Sequence, residues 1–410
     1  MMSRRFAEYD VLVLVSLIWF LGKFVRYVFP PLFERLQLTY GVSNAAIGSA
    51  FTGFMIVYAL MQFPSGVVAD RLGSVRVVSG GAAVAGCGAL TLVVDSPFPV
   101  LVGAMLVIGA GTGVHKTVAV RLITHTYPAR KGRVLGIHDT LGAFGGVLAP
   151  AAVVAFLSAP RALARLLDGL PSADWRGIFL LTGVAALGLT VAFGRRFRGQ
   201  PSDANGRSDG EGSEPEPGLV TYLALFREWR FSAFVFVVIG VSFVHNGLVA
   251  FLPLYLSQVS GLTTTTASLL YSVFFWVTFV QLVTGEFSDR LGRLPLMVAT
   301  SGIATIAISG IVLAPEARTV TLGVLIAVVG VGAHGFNPVR GAYLMELLPR
   351  RVSGGGLGAV RSLLMGVSAL APGVVGVITD VADFRVAFGI LAVVIALSTL
   401  GVAGLWLTEP

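Results

Sequence analysis

The chain contains itself twice. The run QFPSGVVADRLG, from Gln62 to Gly73, returns as QLVTGEFSDRLG, from Gln281 to Gly292, so that Asp70 meets Asp289 at an offset of 219 residues. The same offset carries GTGVH (Gly111 to His115) and Arg121 onto GVGAH (Gly330 to His334) and Arg340. A chain of 410 residues built this way must fold as two copies of one unit, and each local assignment has to make sense in both.

With 55% hydrophobic residues, 12% charged residues and a mean hydropathy of +0.85, the chain carries more apolar surface than one soluble core can bury. A membrane-crossing helix needs roughly 20 mostly apolar residues. Twelve such stretches are present, near 9–37, 44–69, 75–94, 98–127, 133–158 and 176–194, and again near 229–257, 264–287, 294–314, 318–347, 355–379 and 384–407. The expectation is an all-α integral membrane protein of twelve transmembrane helices in two pseudo-symmetric six-helix halves, 1–196 and 221–410. A membrane β-barrel would show short alternating segments instead. The first apolar stretch is too long for a signal-peptide core and has no small-residue cleavage site, so it reads as an anchor. Residues 197–220, rich in Gly, Ser, Pro and acidic side chains, read as a flexible cytoplasmic linker.

The net charge of +8 invites a nucleic-acid reading, which the distribution of basic residues removes. Seventeen of the 29 Lys and Arg fall in loops on the side of the N-terminus and six in the opposite loops. That is the positive-inside bias, which puts both termini and the linker in the cytoplasm and sets the basic loops against anionic lipid heads of the plasma membrane. A lone cysteine, Cys87, allows no intramolecular disulfide and no cysteine-rich metal site.

Two Gly-x-x-x-Asp-Arg-x-Gly loops, Gly66, Asp70, Arg71 and Gly73 in one copy and Gly285, Asp289, Arg290 and Gly292 in the other, sit between the second and third helices of each half. With twelve helices in two homologous halves, they resemble the major facilitator superfamily of secondary transporters. The second copy adds Arg293, completing the family's longer pattern, whereas Ser74 stands there in the first. The resemblance implies a monomeric carrier with a small-molecule substrate, no cofactor and no enzymatic activity. In physical terms Gly66 and Gly285 suit close helix approach and Gly73 and Gly292 a turn with φ > 0. Asp70 and Asp289 suit contact with the partly positive N-terminal end of a helix in the opposite half, worth about 0.3–2 kcal/mol to a gating equilibrium.

Gly142, Gly145, Gly146 and Ala149-Pro150 in the fifth helix, and Ala371-Pro372 in the eleventh, resemble the family's bendable gating helices. The arginine that proton-coupled drug exporters of the family carry near the start of the fourth helix is missing from the run Val100 to Leu106. The run Gly109 to Thr117 looks like a phosphate loop but has His115 before Lys116, mid-helix, and reads as packing glycines. No His-Glu-x-x-His, paired-carboxylate or nucleophile-base set is present.

The resemblance implies that helices 1, 4, 7 and 10 line the central cavity. Their mid-helix polar residues are the substrate-binding candidates: Lys23 and Arg26, His115 and Lys116, His245 and Asn246, His334 and Asn337. At the 219-residue offset Arg26 maps onto His245 and His115 onto His334. A charge near the bilayer centre costs at least ~2.5–3.5 kcal/mol unless it faces protein or water, and the deep pair Lys23 and Arg26 points to substrate contact. For His115 and His334 a packing role and a ligand role both fit. Arg121 and Arg340, near the cytoplasmic helix ends, read as scaffold or gate. His138, Asp139 and Arg361 are coupling or gate candidates, Asp139 by a salt bridge to a basic neighbour. With Lys23, Arg26 and Lys116 unbalanced by a cavity carboxylate, the expected cargo is a small anion, loosely as in the organophosphate and organic-anion branches. The alternatives are a proton-coupled exporter of hydrophobic or cationic compounds and a transporter-like sensor.

Overall fold

The computed structural model describes residues 2–157, 174–197, 225–347 and 363–409. Twelve helices among them are long and apolar enough to cross a membrane, and the described residues contain no strand. They are α1 (Tyr9–Tyr40), α2 (Asn44–Gln62), α3 (Ser74–Thr91), α4 (Phe98–Thr126), α5 (Pro128–Leu157) and α6 (Arg176–Arg196), then α7 (Trp229–Gln258), α8 (Thr264–Leu291), α9 (Arg293–Leu313), α10 (Thr319–Leu347), α11 (Leu363–Val381) and α12 (Phe384–Leu407). The all-α, twelve-span expectation is met. Arg361 and the linker from 198 to 220 lie outside the described residues.

The chain forms two compact units, one of Met1–Gly41 with Gly53–Asp209 and the other of Val42–Thr52 with Gly210–Pro410. The first turns of α2 thus count with the second unit. There the Asp380 carboxylate accepts the backbone N–H groups of Asn44 (3.1 Å) and Ala45 (2.8 Å), satisfying two donors that a helix start leaves open. Gly48 lies against the Pro372 backbone and Gly376 against that of Asn44, contacts too close for any side chain.

Glycine sets the packing inside each unit. Gly109 abuts the Phe54 carbonyl of α2 and Gly111 the Gly81 carbonyl of α3, so α4 is wedged between both neighbours. The run that looked like a phosphate loop is packing glycine, as expected. In the second unit Gly330 abuts the Phe274 carbonyl of α8 and Gly332 the Thr300 carbonyl of α9. Gly73 (φ 87°) and Gly292 (φ 88°) make the tight turns between α2 and α3 and between α8 and α9, where a β-carbon would be strained. The expectation for Gly66 and Gly285 needs correcting. Among the described residues nothing lies within 4 Å of where their β-carbons would stand, so no close approach requires glycine there.

Three helices are interrupted. α4 breaks at Val114, between segments Phe98–Gly113 and His115–Thr126. α8 tightens to a 3₁₀ turn at Val277–Phe279, and α11 turns at 369–370 ahead of Ala371-Pro372. A break frees backbone groups and re-aims the side chains that follow.

Candidate functional site

In the first unit, the break in α4 delivers His115 and Lys116 to the same place as α1 and α5. Gly142 of α5 lies under the Trp19 indole and Gly145 against the Phe20 carbonyl, so α1 and α5 meet backbone to ring. Trp19, 3% exposed, stacks on His115 (centroids 5.6 Å apart, planes at 10°) and on His138 (6.0 Å, 17°). His138 Nδ1 and Ser16 Oγ are 3.1 Å apart, while His138 Nε2 and Trp19 Nε1 are buried with no hydrogen-bond partner among the described residues. Two ammonium groups share that indole: Lys23 Nζ lies 5.3 Å and Lys116 Nζ 5.5 Å from its centroid. Both lysines are half-buried. One turn along α1, the Arg26 guanidinium packs against Tyr27 (5.5 Å) and Tyr58 of α2 (5.4 Å). Lys23, Arg26, His115 and Lys116 are thereby brought into one aromatic-lined cluster with His138. Asp139, the next residue of α5, is exposed and makes no ion pair among the described residues, which corrects the salt bridge expected of it.

Sequence reasoning missed Trp19, Ser16 and Tyr58. Trp19 was within reach, since it precedes Lys23 by four residues and so shares its face of α1. Tyr58 and Ser16 carry no local signal, because their partners are 32 and 122 residues away.

The second unit holds a different set. His245 of α7 and His334 of α10 meet edge to face (5.9 Å, 81°), with Phe274 of α8 5.6 Å from one and 4.9 Å from the other. Asn246 is buried and donates to the Ser368 carbonyl at 3.1 Å, and Asn337 is half-buried. His115 faces α1 and α5, whereas His334 faces α7 and α8, so the two histidines are not counterparts.

The correction is one of register. Gly109 and Gly111 occupy the places of Gly330 and Gly332, an offset of 221, although α3 and α9 keep 219, with Gly81 matching Thr300. Two residues turn a helix by about 200°, which presents the opposite face. For α1 and α7 the offset is 223: Ile18, Leu21, Gly22 and Val25 line a cavity of the first unit as Val241, Val244, His245 and Leu248 line one of the second. The counterpart of His245 is Gly22, not Arg26. Lys23 corresponds to Asn246, Lys116 to Asn337 and Trp19 to Ser242.

The duplicated loops also differ in their partners. Asp70 accepts from Arg121 within its own unit, both side chains about half-exposed at 58% and 41%. Asp289 is exposed and makes no ion pair among the described residues, and Arg340 donates to Ser242 Oγ (3.0 Å). Arg293 pairs with Glu346 and donates to the Ala342 carbonyl at 3.0 Å, while Arg290 pairs along its own helix with Glu286 at 2.6 Å. Arg71 is exposed. In the turn between α4 and α5, Tyr127 stacks on Tyr9 (5.8 Å) and burial raises its phenol above the ordinary value. No cluster of His, Cys, Asp or Glu among the described residues could hold a metal ion.

The sequence model of the Major Facilitator Superfamily matches residues 15–326 and 279–410. The protein named "Probable sulfoacetate transporter SauU", from Cupriavidus necator, is 23% identical over 304 residues, which cover 71% of this chain and 65% of that protein. A "Probable 4-methylmuconolactone transporter" from Cupriavidus pinatubonensis is 27% identical over 349 residues, 82% of this chain and 75% of the relative. Among solved structures, a bacterial homolog of the human lysosomal transporter Spinster, described as inward-facing and unoccupied, superimposes with a TM-score of 0.82 over 97% of both chains at 18% identity. At that identity the likeness establishes the fold alone.

Proposed function

This chain belongs to the Major Facilitator Superfamily, and from that premise we propose that it carries a small organic anion across the plasma membrane by alternating access. It is a multi-pass membrane transporter of a fold whose work is translocation, not catalysis. The charge bias of the loops supports cytoplasmic termini.

The observation that carries the anion is the set Lys23, Arg26 and Lys116 on membrane-spanning helices of one unit. Each such charge costs at least ~2.5–3.5 kcal/mol at the bilayer centre, and a cation–π contact returns about 0.5–2 kcal/mol. The aromatic rings therefore offset part of the cost, and a bound anion would offset more of it. Sulfoacetate, the cargo for which one relative is named, is an anion by its chemistry and supports the same reading. In this mechanism the ammonium groups and guanidinium take up the anion, and the Asp70–Arg121 pair helps to set the state that is open. A cationic cargo would need a carboxylate to receive it, and Asp139, which is exposed, interacts with Lys23.

The test is thermal unfolding of the purified protein against carboxylates, sulfonates, phosphate esters and organic cations, since a ligand of the folded state raises the midpoint. Stabilisation by anions, followed by uptake of the same compounds into proteoliposomes, supports the reading. Stabilisation by cations only would overturn it.

A further inference from the structure

Resting on the alternating-access reading, we propose that Asp380 is a releasable latch, a carboxylate that holds the first turns of α2 on α11 and lets them go as the transporter changes state. Val42–Thr52 and α11 belong to one unit, and α2 passes into the other at Gly53. Its first turns therefore stay on α11 only while the contacts between them hold. The Asp380 carboxylate accepts from Asn44 N (3.1 Å) and Ala45 N (2.8 Å), and Gly373 N donates to Thr52 Oγ1 (2.8 Å). Gly48 and Gly376 bring backbone against backbone on either side of these bonds.

Asp380 is badly placed for its own helix. It is next to last in α11, where the helix dipole is negative and disfavours a carboxylate. The start of α2 is the opposite pole, so docking turns an unfavourable placement into a favourable one. The latch is also open to water. Asp380 is exposed, Asn44 and Ala45 are half-buried, and Ser43 Oγ accepts from Ala46 N (3.3 Å), so α2 keeps a cap of its own on leaving. The sequence of the other copy has neither part. Laying Ala149-Pro150 on Ala371-Pro372 sets Ala151, Val154 and Ser158 against Gly373, Gly376 and Asp380, so the duplicated helix does not itself call for the glycines or the carboxylate.

The experiment is the rate at which N-ethylmaleimide labels Thr52→Cys in the purified full chain with Cys87→Ser. Thr52 is half-buried against Gly373, so labelling reads the released fraction. Asp380→Ala is expected to raise the rate roughly 2- to 30-fold, the worth of a lost helix cap, and Asp380→Asn, which keeps one acceptor oxygen, to raise it less. Gly376→Ala drives a β-carbon into the Asn44 carbonyl and is expected to raise it too, whereas Gly366→Ala on the same helix, with nothing within 4 Å, is expected to leave it unchanged. Ala59→Cys, 8% exposed and beyond Gly53, is expected to stay unreactive in each background. With Gly373→Cys added, Thr52→Cys is expected to close a disulfide under mild oxidation, because a β-carbon on Gly373 would stand 3.6 Å from that of Thr52. An unchanged rate in Asp380→Ala would overturn the latch and leave anion transport standing. Labelling needs no cargo, so failure of every anion to bind would overturn the anion reading alone. Equal rises at Thr52→Cys and Ala59→Cys would make Asp380 a residue of global stability and overturn the latch as well.

Discussion

Replacing Gly142 with alanine tests whether the Trp19 platform is held as described. A β-carbon at Gly142 would overlap Cδ1 and Nε1 of the Trp19 indole, which is 3% exposed and packs beside both His115 and His138. Overpacking of this kind costs about 1–3 kcal/mol. Alanine also gains up to ~1 kcal/mol over glycine inside a helix, so the measurement needs a control on the same helix. Gly136 of α5 supplies it, with nothing within 4 Å of an added β-carbon. The difference between Gly142→Ala and Gly136→Ala isolates the clash. For a unit of roughly 200 residues each kcal/mol moves the melting midpoint by about 2–4 °C, so Gly142→Ala is expected to melt some 2–12 °C below Gly136→Ala. Trp19→Phe removes the five-membered edge that would be struck, and the pair Gly142→Ala with Trp19→Phe is expected to couple by about 1 kcal/mol or more in a double-mutant cycle. Thermal unfolding of the four proteins in one detergent measures this. Equal midpoints for the two alanine variants, or additivity of Gly142→Ala with Trp19→Phe, would refute the claim that the glycine seats the indole.

Arg26→Ala is expected to weaken anion binding by roughly tenfold or more, and Arg26→Lys to restore it in part, because an ammonium lacks the planar fork that also stacks on Tyr27 and Tyr58. Arg121→Lys is expected to retain binding, and the reverse order, read from titrations, would move the site toward Asp70. The Asp70–Arg121 pair is about half-exposed, so a cycle of Asp70→Asn with Arg121→Gln is expected to show no more than about 1 kcal/mol of coupling in stability; a larger value would mean the pair is buried in the working protein. For topology, Asn205→Cys in a Cys87→Ser background is expected to resist an impermeant maleimide in intact cells and to react in inverted vesicles; labelling of intact cells would put the linker outside.

Composition and period made the fold legible, because a bilayer admits few ways to satisfy the backbone and twelve apolar runs choose among them. The turns were legible too, since Gly73 and Gly292 must reach a φ that other residues avoid. The register within each copy was not. The run Gly109, Gly111, Gly113 offers two alignments to the pair Gly330, Gly332, and identity of letters favoured the one that also matched His115 to His334. Packing chose the other, because what has to recur is the approach of a bare backbone to two neighbouring helices. The cluster around Trp19 was half legible. Lys23, Arg26, His115 and Lys116 stood out by the cost of charge in lipid, while the rings that hold them come from helices distant in sequence.

That difference between what recurs and what does not separates scaffold from cargo. Where the two copies agree in space, as at Gly111 and Gly332, a side chain would collide with a carbonyl, and the residue is dictated by packing. Where they disagree, as at Lys23 and Asn246 or at Lys116 and Asn337, packing accepts either residue, and the choice must answer to something else. Asn246 turns its amide onto the Ser368 carbonyl and is satisfied within its own unit. At Lys23 and Lys116 an ammonium stands in place of that amide and lies against the Trp19 indole, a contact worth about 0.5–2 kcal/mol. The first unit thus keeps at these positions two charges that its twin does without, at a cost of several kcal/mol in the membrane. An anion in the site would lower that cost, which ties the charges to what the protein carries.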